Sequence, residues 1–478
     1  MISKNLIFIL KKFTKDELSR FTHFVDSPYF NKQNHVKVLL DYLSSLYPEF
    51  PDNDLAKEKI FAKIYPGEKF VESRIRNFCS DLKLLAEKFM MIELLQKDDN
   101  GTDLYKLASF NAKRHYGLFQ KKYEEVINKK GKEPADEWAI NNNIKLYDLR
   151  FAYLNANSGD AKETEEILKK INDESLKFYL SFFFKNSSRI LNKQRTFFNY
   201  GYSPKNFETA CGIIENNFDD FKNESYLMLN YYSAMLYKNY DEKSFITLYK
   251  FILKNFKKIN SGDATDILIA LINYCRTQAL KGNSEYEFKA LEIYKLMESN
   301  NIWNKDNLLR PSVYRGATSV GCNCGEFEWT KDFLNKFKDM QPEEHRESNY
   351  NLCFGRLYFD SKNYNKAIES LAKVKNEDSS YKYETDALLM KIYYEIDETE
   401  ALFSKIDSFR HWINNNETII SDRYRKIFKQ MVGCIDKLAK LKLKPDSFNL
   451  DKLKKKIIAD ESIVNRLWMI EKINELLR

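Results

Sequence analysis

Residues 349–374, NYNLCFGRLYFDSKNYNKAIESLAKV, contain the pattern that decides the fold. They predict one helix, a short turn and a second helix, because the turn-forming residues 360–363 separate two apolar periodic segments. Small residues stand where the two helices would cross, with Gly355 late in the first and Ala367 early in the second. A glycine inside a helix costs about 1 kcal/mol relative to alanine. Gly355 therefore indicates close helix packing.

The same stretch resembles a tetratricopeptide-type repeat. The positions that match its small, aromatic and large apolar residues are, in chain order, Gly355, Tyr358, Tyr364, Ala367 and Leu371. Two residues depart from the motif, since Asn351 occupies the usual place of a tryptophan and Ser379 that of a proline. The resemblance implies an all-α, right-handed solenoid of stacked helix pairs that acts by binding other molecules.

Weaker copies of the pattern flank this stretch. Ala401 lies 34 residues after Ala367, Thr330 lies 37 residues before it, and Ala290 lies a further 40 residues back. A period of this size is that of one helix pair. The chain also has only 14 Gly and 9 Pro among 478 residues, so few turns and long helices are expected. The alternative is an ordinary helical domain with accidental self-similarity.

Residues 1–97 are expected to form a separate helical unit. Thr14 and Glu17 have the spacing of a capping box in front of an apolar helix. The segments SPYFN at 27–31 and EKIFAKIYPGE at 58–68 resemble the N-terminal region of a family of uncharacterised bacterial proteins, whose remainder is helical and repeat-like. This resemblance implies a bacterial origin but no particular chemistry.

Residues 55–90 loosely resemble the helix-turn-helix part of winged-helix regulators that carry tetratricopeptide-like domains. The residues of the second helix that would then contact DNA are Ser73, Arg76, Asn77, Ser80 and Lys83. Strands for a wing are not evident, and Glu72 and Asp81 would face the phosphates unfavourably. The alternative is a packing unit at the end of the solenoid.

Three further regions are expected along the chain. Residues 103–200 are predicted to be linking or degenerate helix pairs, 201–416 tetratricopeptide-like repeats, and 417–478 a basic helical C-terminal cap. The cap predicts either a patch for phosphate polymers and acidic partners or a solvated helix face, because apolar residues alternate with its lysines. These lysines are Lys437, Lys440, Lys442, Lys444, Lys452, Lys454, Lys455 and Lys456.

The motif GCNCG at 321–325 is the most unusual short sequence in the chain. Cys322 and Cys324 could contribute to a metal site, but no second Cys or His pair lies at a suitable spacing. The alternative is that small residues are needed where a helix ends. Phosphate-binding, dinucleotide-binding and hydrolase motifs are absent, so we nominate no catalytic, cofactor-binding or metal-binding residue.

The expected location is the cytoplasm, because no apolar run approaches the roughly 20 residues of a membrane span and the seven cysteines are scattered. The expected function is a non-catalytic scaffold that holds a protein or peptide in a groove lined by the first helices of the pairs. The side chains expected to lie off the packing stripe and reach this groove are Asn349, Leu352, Arg356 and Phe359.

Overall fold

The protein consists of α-helices in a computed structural model. The structure describes residues 2–129, 136–157, 159–196, 201–259, 261–303, 308–375, 379–416, 420, 422–460 and 463–478. No β-strand occurs among these residues, which confirms the predicted all-α class. Contacts divide the chain into two compact units, 1–133 with 137–179 and 134–136 with 180–478.

The first unit begins with five helices around one apolar core. Its helices are α1 (Lys4–Lys12), α2 (Lys15–Asp26), α3 (Asn34–Ser45), α4 (Lys57–Ile64), α5 (Glu72–Lys97), α6 (Asp99–Ala112), α7 (Tyr116–Lys129) and α8 (Glu137–Ala156), and the boundary to the second unit lies within α9 (Ala161–Thr196).

The predicted capping box starts α2. The Thr14 hydroxyl accepts a hydrogen bond from the Glu17 amide at 3.1 Å, and the Glu17 carboxylate accepts one from the Thr14 amide at 2.8 Å. Two of the four amides that a helix start leaves unpaired are satisfied in this way. The longest helix of this core, α5, buries an apolar stripe that includes Ile75, Leu82 and Phe89.

The second unit continues with fifteen helices in the described part of the chain. They are α10 (Phe207–Asn216), α11 (Phe218–Phe221), α12 (Ser225–Asn239), α13 (Glu242–Asn255), α14 (Ser261–Leu280), α15 (Glu285–Ser299), α16 (Pro311–Asn323), α17 (Phe327–Lys336), α18 (Glu343–Asp360), α19 (Tyr364–Leu371), α20 (Ser379–Glu395), α21 (Thr399–Asn415), α22 (Asp422–Leu443), α23 (Ser447–Ala459) and α24 (Arg466–Leu477).

Five successive helix pairs in this unit are joined by similar short turns. The pairs are α12 with α13, α14 with α15, α16 with α17, α18 with α19 and α20 with α21, and the helices of each pair pack together. Every turn contains one residue in the left-handed region, namely Tyr240 (φ 53°), Gly282 (103°), Gly325 (75°), Lys362 (62°) and Asp397 (62°).

The last four of these turns also share a backbone hydrogen bond. In the pair α18 and α19, the Asn363 amide donates to the Tyr358 carbonyl at 2.7 Å, five residues earlier. The equivalent amides are those of Asn283, Glu326 and Glu398. This is the Schellman arrangement, which satisfies carbonyls at a helix end while reversing the chain. The common turn explains how helices of different sequence form similar hairpins.

Two glycines permit close crossing within these hairpins. A Cβ on Gly355 would lie 2.5 Å from Leu371 Cδ2 and 3.6 Å from the Ala367 carbonyl oxygen. A Cβ on Gly321, 34 residues earlier, would lie 2.2 Å from Thr330 Oγ1. Thr330 and Ala367 are each fully buried and each the fourth residue of a second helix. The close packing predicted at Gly355 is therefore present, and its counterpart recurs at Gly321.

The domain boundaries expected from the sequence are finer than the two compact units. The expected boundary between 97 and 103 lies inside the first unit. The expected boundaries at 200 and at 417 fall on residues outside the described ones, and the division into two units lies at 179–180.

We expect Gly355→Ala to lower the free energy of unfolding by about 1–3 kcal/mol, because the new methyl group would overlap Leu371 in a packed core. The matched control is Gly212→Ala in α10, where an added Cβ meets nothing within 4 Å. That change should raise stability by up to about 1 kcal/mol through helix propensity. Urea unfolding followed by circular dichroism measures both, and equal stabilisation by the two alanines would contradict the close crossing.

Candidate binding groove

The first helices of three successive pairs, α16, α18 and α20, lie side by side, with α18 packed against both of the others. Their sides, together with α14 and the segment before α24, line a cavity of about 420 Å³. Four successive first helices each contribute one basic side chain to this cavity, which are Arg276, Arg315, Arg356 and Lys391. We call this cavity the basic groove.

Two of the basic side chains are held by neighbouring helices. Arg315 pairs with Glu384 at 3.4 Å and donates a hydrogen bond to the Asn349 side chain at 3.1 Å. Arg356 pairs with Asp360 one turn later on α18 and donates to the Asn323 side chain at 3.0 Å. Their guanidinium groups are therefore fixed in position, since each bridges two helices.

Lys391 is different, because it is buried and unpaired. Only 6% of its surface is exposed, and it forms no hydrogen bond or ion pair with any residue that the structure describes. Its Nζ lies 4.3 Å from the ring centre of Phe359 and 5.5 Å from that of Trp468. Burial, reinforced by the positive charge of Arg356, lowers the pKa of Lys391 to about 7.

A second cavity, of about 240 Å³, lies among α9, α12 and α14 within the second unit. Two of its three cations have carboxylate partners: Lys185 pairs with Asp263 at 3.1 Å and Arg310 with Asp266 at 2.7 Å. The third, Arg189, is exposed to solvent, whereas Lys391 of the basic groove is buried without a carboxylate partner.

The groove residues expected from the sequence are placed differently by the structure. Asn349 is fully buried, and its side chain donates a hydrogen bond to that of Gln341. Leu352 and Phe359 are also buried, so the expectation that these three lie off the packing stripe was wrong. The cause is that α18 is covered by first helices on both sides as well as by α19. Leu352 and Arg356 do line the basic groove.

Sequence reasoning missed Arg276, Arg315 and Lys391. Their spacing was a usable signal: the basic residues Arg276, Arg315, Arg356 and Lys391 follow one another at intervals of 39, 41 and 35 residues. The spacing does not indicate, however, that Lys391 is buried.

The helix-turn-helix prediction concerns α4 and α5. Ser73, Arg76, Asn77 and Ser80 are exposed on one face of α5, while Lys83 is half-buried and pairs with Glu87 at 3.0 Å. The described residues of 1–100 contain no strand that could form a wing. Contact between this face and DNA stays a prediction.

The two cysteines of the GCNCG motif lie where α16 ends and its turn begins. Cys322 is buried and Cys324 half-buried, and burial raises the pKa of both thiols, that of Cys324 to about 11. Protonated thiols are poor metal ligands. Among the described residues, no group of three His, Cys, Asp or Glu side chains is arranged to hold a metal ion.

The basic C-terminal cap has an alternating arrangement. Leu438, Leu450 and Leu453 are buried, while Lys437 and Lys456 are exposed beside an open cavity of about 500 Å³. Five basic side chains and one acidic one line that cavity, so the basic patch and the solvated helix face both stay predictions. None of the described helices combines the length and the apolar character that crossing a bilayer requires.

No known protein family, curated protein or solved structure matches the chain. The resemblances to tetratricopeptide repeats and to a bacterial family therefore stay predictions, and the functional argument depends on the geometry of the groove.

We expect the native protein to react slowly with a thiol reagent at pH 8, because six of its seven cysteines are buried. At most one thiol, that of the half-buried Cys324, should react quickly, and all seven should react after unfolding. Cys324→Ser should remove the fast phase. Fast labelling of both Cys322 and Cys324, or zinc bound in equal amount to the protein, would revive the metal site.

We expect Lys391→Met to raise the free energy of unfolding by about 1–2 kcal/mol at pH 7, because methionine fills a similar space without a buried charge. The folded-state pKa is lowered from the ordinary value of 10.5 to about 7. Over that interval the unfolded chain binds the proton more strongly. The destabilisation of the folded protein by Lys391 therefore has its full value below about pH 7 and disappears near pH 10.5.

The gain from Lys391→Met should consequently be smaller at pH 9 than at pH 7. Urea unfolding of wild type and variant at both values measures this difference. Lys289→Met is the matched control, because Lys289 also lies over a ring, at 4.0 Å from that of Tyr286, but is only half-buried. Its effect should stay within about 0.5 kcal/mol. A loss of stability in Lys391→Met would show that the ammonium group supports the fold.

Proposed function

We propose that the protein is a non-catalytic scaffold that binds a protein or peptide partner in the basic groove. The helix pairs are proposed to stack as a right-handed, tetratricopeptide-like solenoid. The left-handed residue in the turns of five pairs and the hydrogen bond shared by four of them support this architecture, as does the packing of α16, α18 and α20 in one row. Stacked pairs of this kind present a row of first helices to a ligand.

The observation that carries the proposal is the basic groove itself. It combines apolar surface from Leu352 and Leu388 with a few fixed polar groups, among them Arg315 and Arg356. This combination is typical of sites that bind by preformed complementarity. Preformed side chains lower the entropic cost of binding a flexible peptide.

Binding is favoured over catalysis by the polar groups of the groove. No histidine lines it, and the Thr318 hydroxyl donates to the Tyr314 carbonyl within its own helix. Burial raises the pKa of the Cys353 thiol to about 12, so it stays protonated at neutral pH. Apart from the Lys391 amine, these groups offer no nucleophile beside a general base.

Site-specific photocrosslinking tests the proposal with the full-length protein in its native cell. A photoreactive phenylalanine analogue replaces Ser312, an exposed groove residue on α16, or Glu369, an exposed residue of α19 outside the groove. We expect a discrete crosslinked protein from position 312 and none from position 369. Equal crosslinking from both positions, or none from position 312, would contradict a groove that binds partners.

The alternative proposal is a transcription regulator that contacts DNA through α5. The exposed face formed by Ser73, Arg76, Asn77 and Ser80 supports it. The pairing of Lys57 with Glu72 and of Lys83 with Glu87 opposes it, because these basic groups are already compensated beside carboxylates.

A mobility-shift experiment separates the two proposals. For the scaffold we expect no shift of duplex DNA by the full-length protein at low salt. A salt-sensitive shift that disappears in Arg76→Ala with Lys83→Ala would favour the regulator, since each phosphate contact releases counterions.

A further inference from the structure

We propose that the partner segment held in the basic groove is acidic, and that one of its carboxylates pairs with Lys391 and Arg356. This inference rests on the proposed function and specifies the chemistry of the partner. The ligand class follows from the charges of the groove and from the fact that the carboxylates around Lys391 already have other partners.

The groove lining contains more cations than anions, although Arg356 is also paired, with Asp360 outside the lining. Four lining side chains are cationic and only one, Glu384, is anionic, and Glu384 is paired with Arg315. Like charges held close together in a partly buried site repel one another unless an anion lies between them. An acidic ligand would relieve this repulsion.

The carboxylates near Lys391 are already engaged elsewhere. Asp360 on α18 pairs with Arg356, and Glu395 on α20 pairs with Lys472 at 3.2 Å and accepts a hydrogen bond from Trp468 Nε1 at 2.7 Å. Glu471 on α24 is mostly exposed and lies 3.8 Å from Lys472. With Arg356, these are the charged groups that act on Lys391 from the helices around it.

A buried ammonium group without a counter-charge is costly, so its retention needs an explanation. The aromatic rings of Phe359 and Trp468 offset part of that cost. The rings do not neutralise the charge of Lys391, and they could pack equally well against an uncharged methionine side chain. A ligand carboxylate would supply the missing charge beside a buried cation, where such a pair is strong.

A peptide suits the groove better than an isolated small anion. The four cations come from successive first helices, so they are distributed along the cavity instead of surrounding one point. A segment with several carboxylates can contact more than one of them.

Fluorescence anisotropy with the full-length protein tests the inference. The probe is fluorescein-labelled poly-L-glutamate of about twenty residues, at pH 6.5 and low salt. We expect binding by wild type and a loss of at least about tenfold in affinity in Lys391→Met, as removal of one charged hydrogen-bond donor implies.

The matched control is Lys437→Met with Lys456→Met, which removes two exposed lysines of the C-terminal cap outside the groove. Its affinity for the probe should stay within about threefold of wild type. No binding of the probe, unchanged binding in Lys391→Met, or an equal loss in the control would each overturn the inference.

The pH dependence gives a second readout that a purely structural lysine would not produce. An anion beside Lys391 favours the charged form, so binding takes up a proton above the pKa of the free protein, about 7. Affinity for poly-L-glutamate should be highest below pH 7 and fall as pH rises to 9. In Lys391→Met this fall should be absent, and an equal fall in both proteins would count against the site.

Failure of this inference is distinguishable from failure of the proposed function. Crosslinking from position 312 that is equal in wild type and Lys391→Met, without poly-L-glutamate binding, would overturn the acidic ligand and leave the scaffold standing. Lys391-dependent binding of the probe, without any crosslinked protein in cells, would support the anion site and contradict a protein partner.

Discussion

The close crossing of paired helices is the constraint on which the rest of the second unit depends. At Gly355 the absence of a side chain lets α18 approach Ala367 and Leu371 of α19. At Gly321 it lets α16 approach α17 in the same way. Because the second helices lie close behind, the first helices can pack against each other in a row. That row places Arg315, Arg356 and Lys391 around one cavity although about forty residues separate each from the next.

The turn between paired helices was only partly predictable from the sequence. Residues 360–363 carry ordinary turn chemistry, and α17 and α19 each begin three residues before Thr330 and Ala367, the two positions that the repeat spacing relates. The left-handed positions were not visible, because three of five are Tyr240, Lys362 and Asp397 instead of glycine. A non-glycine residue is strained there, and at Lys362 and Asp397 the Schellman hydrogen bond together with packing of the pair offsets that strain.

The groove was harder to predict than the helices, for a physical reason. Apolar periodicity reports how much of a helix is buried but not which neighbour covers it. In α18 the burial of Asn349 and Phe359 arises from α16 and α20, and neither contact follows from the sequence of α18 alone. Arg356 was identified because it lies in residues 349–374, the stretch with the clearest helix–turn–helix pattern. Lys391 was missed because its burial depends on Trp468, which lies 77 residues later.

The C-terminal helix α24 engages a carboxylate that could otherwise pair with Lys391. Lys391 and Glu395 are four residues apart on α20, a spacing at which lysine and glutamate commonly pair. In this protein α24 takes that glutamate, since Lys472 forms its ion pair and Trp468 its hydrogen bond. The Trp468 ring at the same time lies over the Lys391 ammonium group, with its centre 5.5 Å from Nζ. The packing of α24 thus leaves a buried cation without the glutamate four residues along its own helix, and in our proposal this exchange of partners makes the groove selective for an anionic ligand.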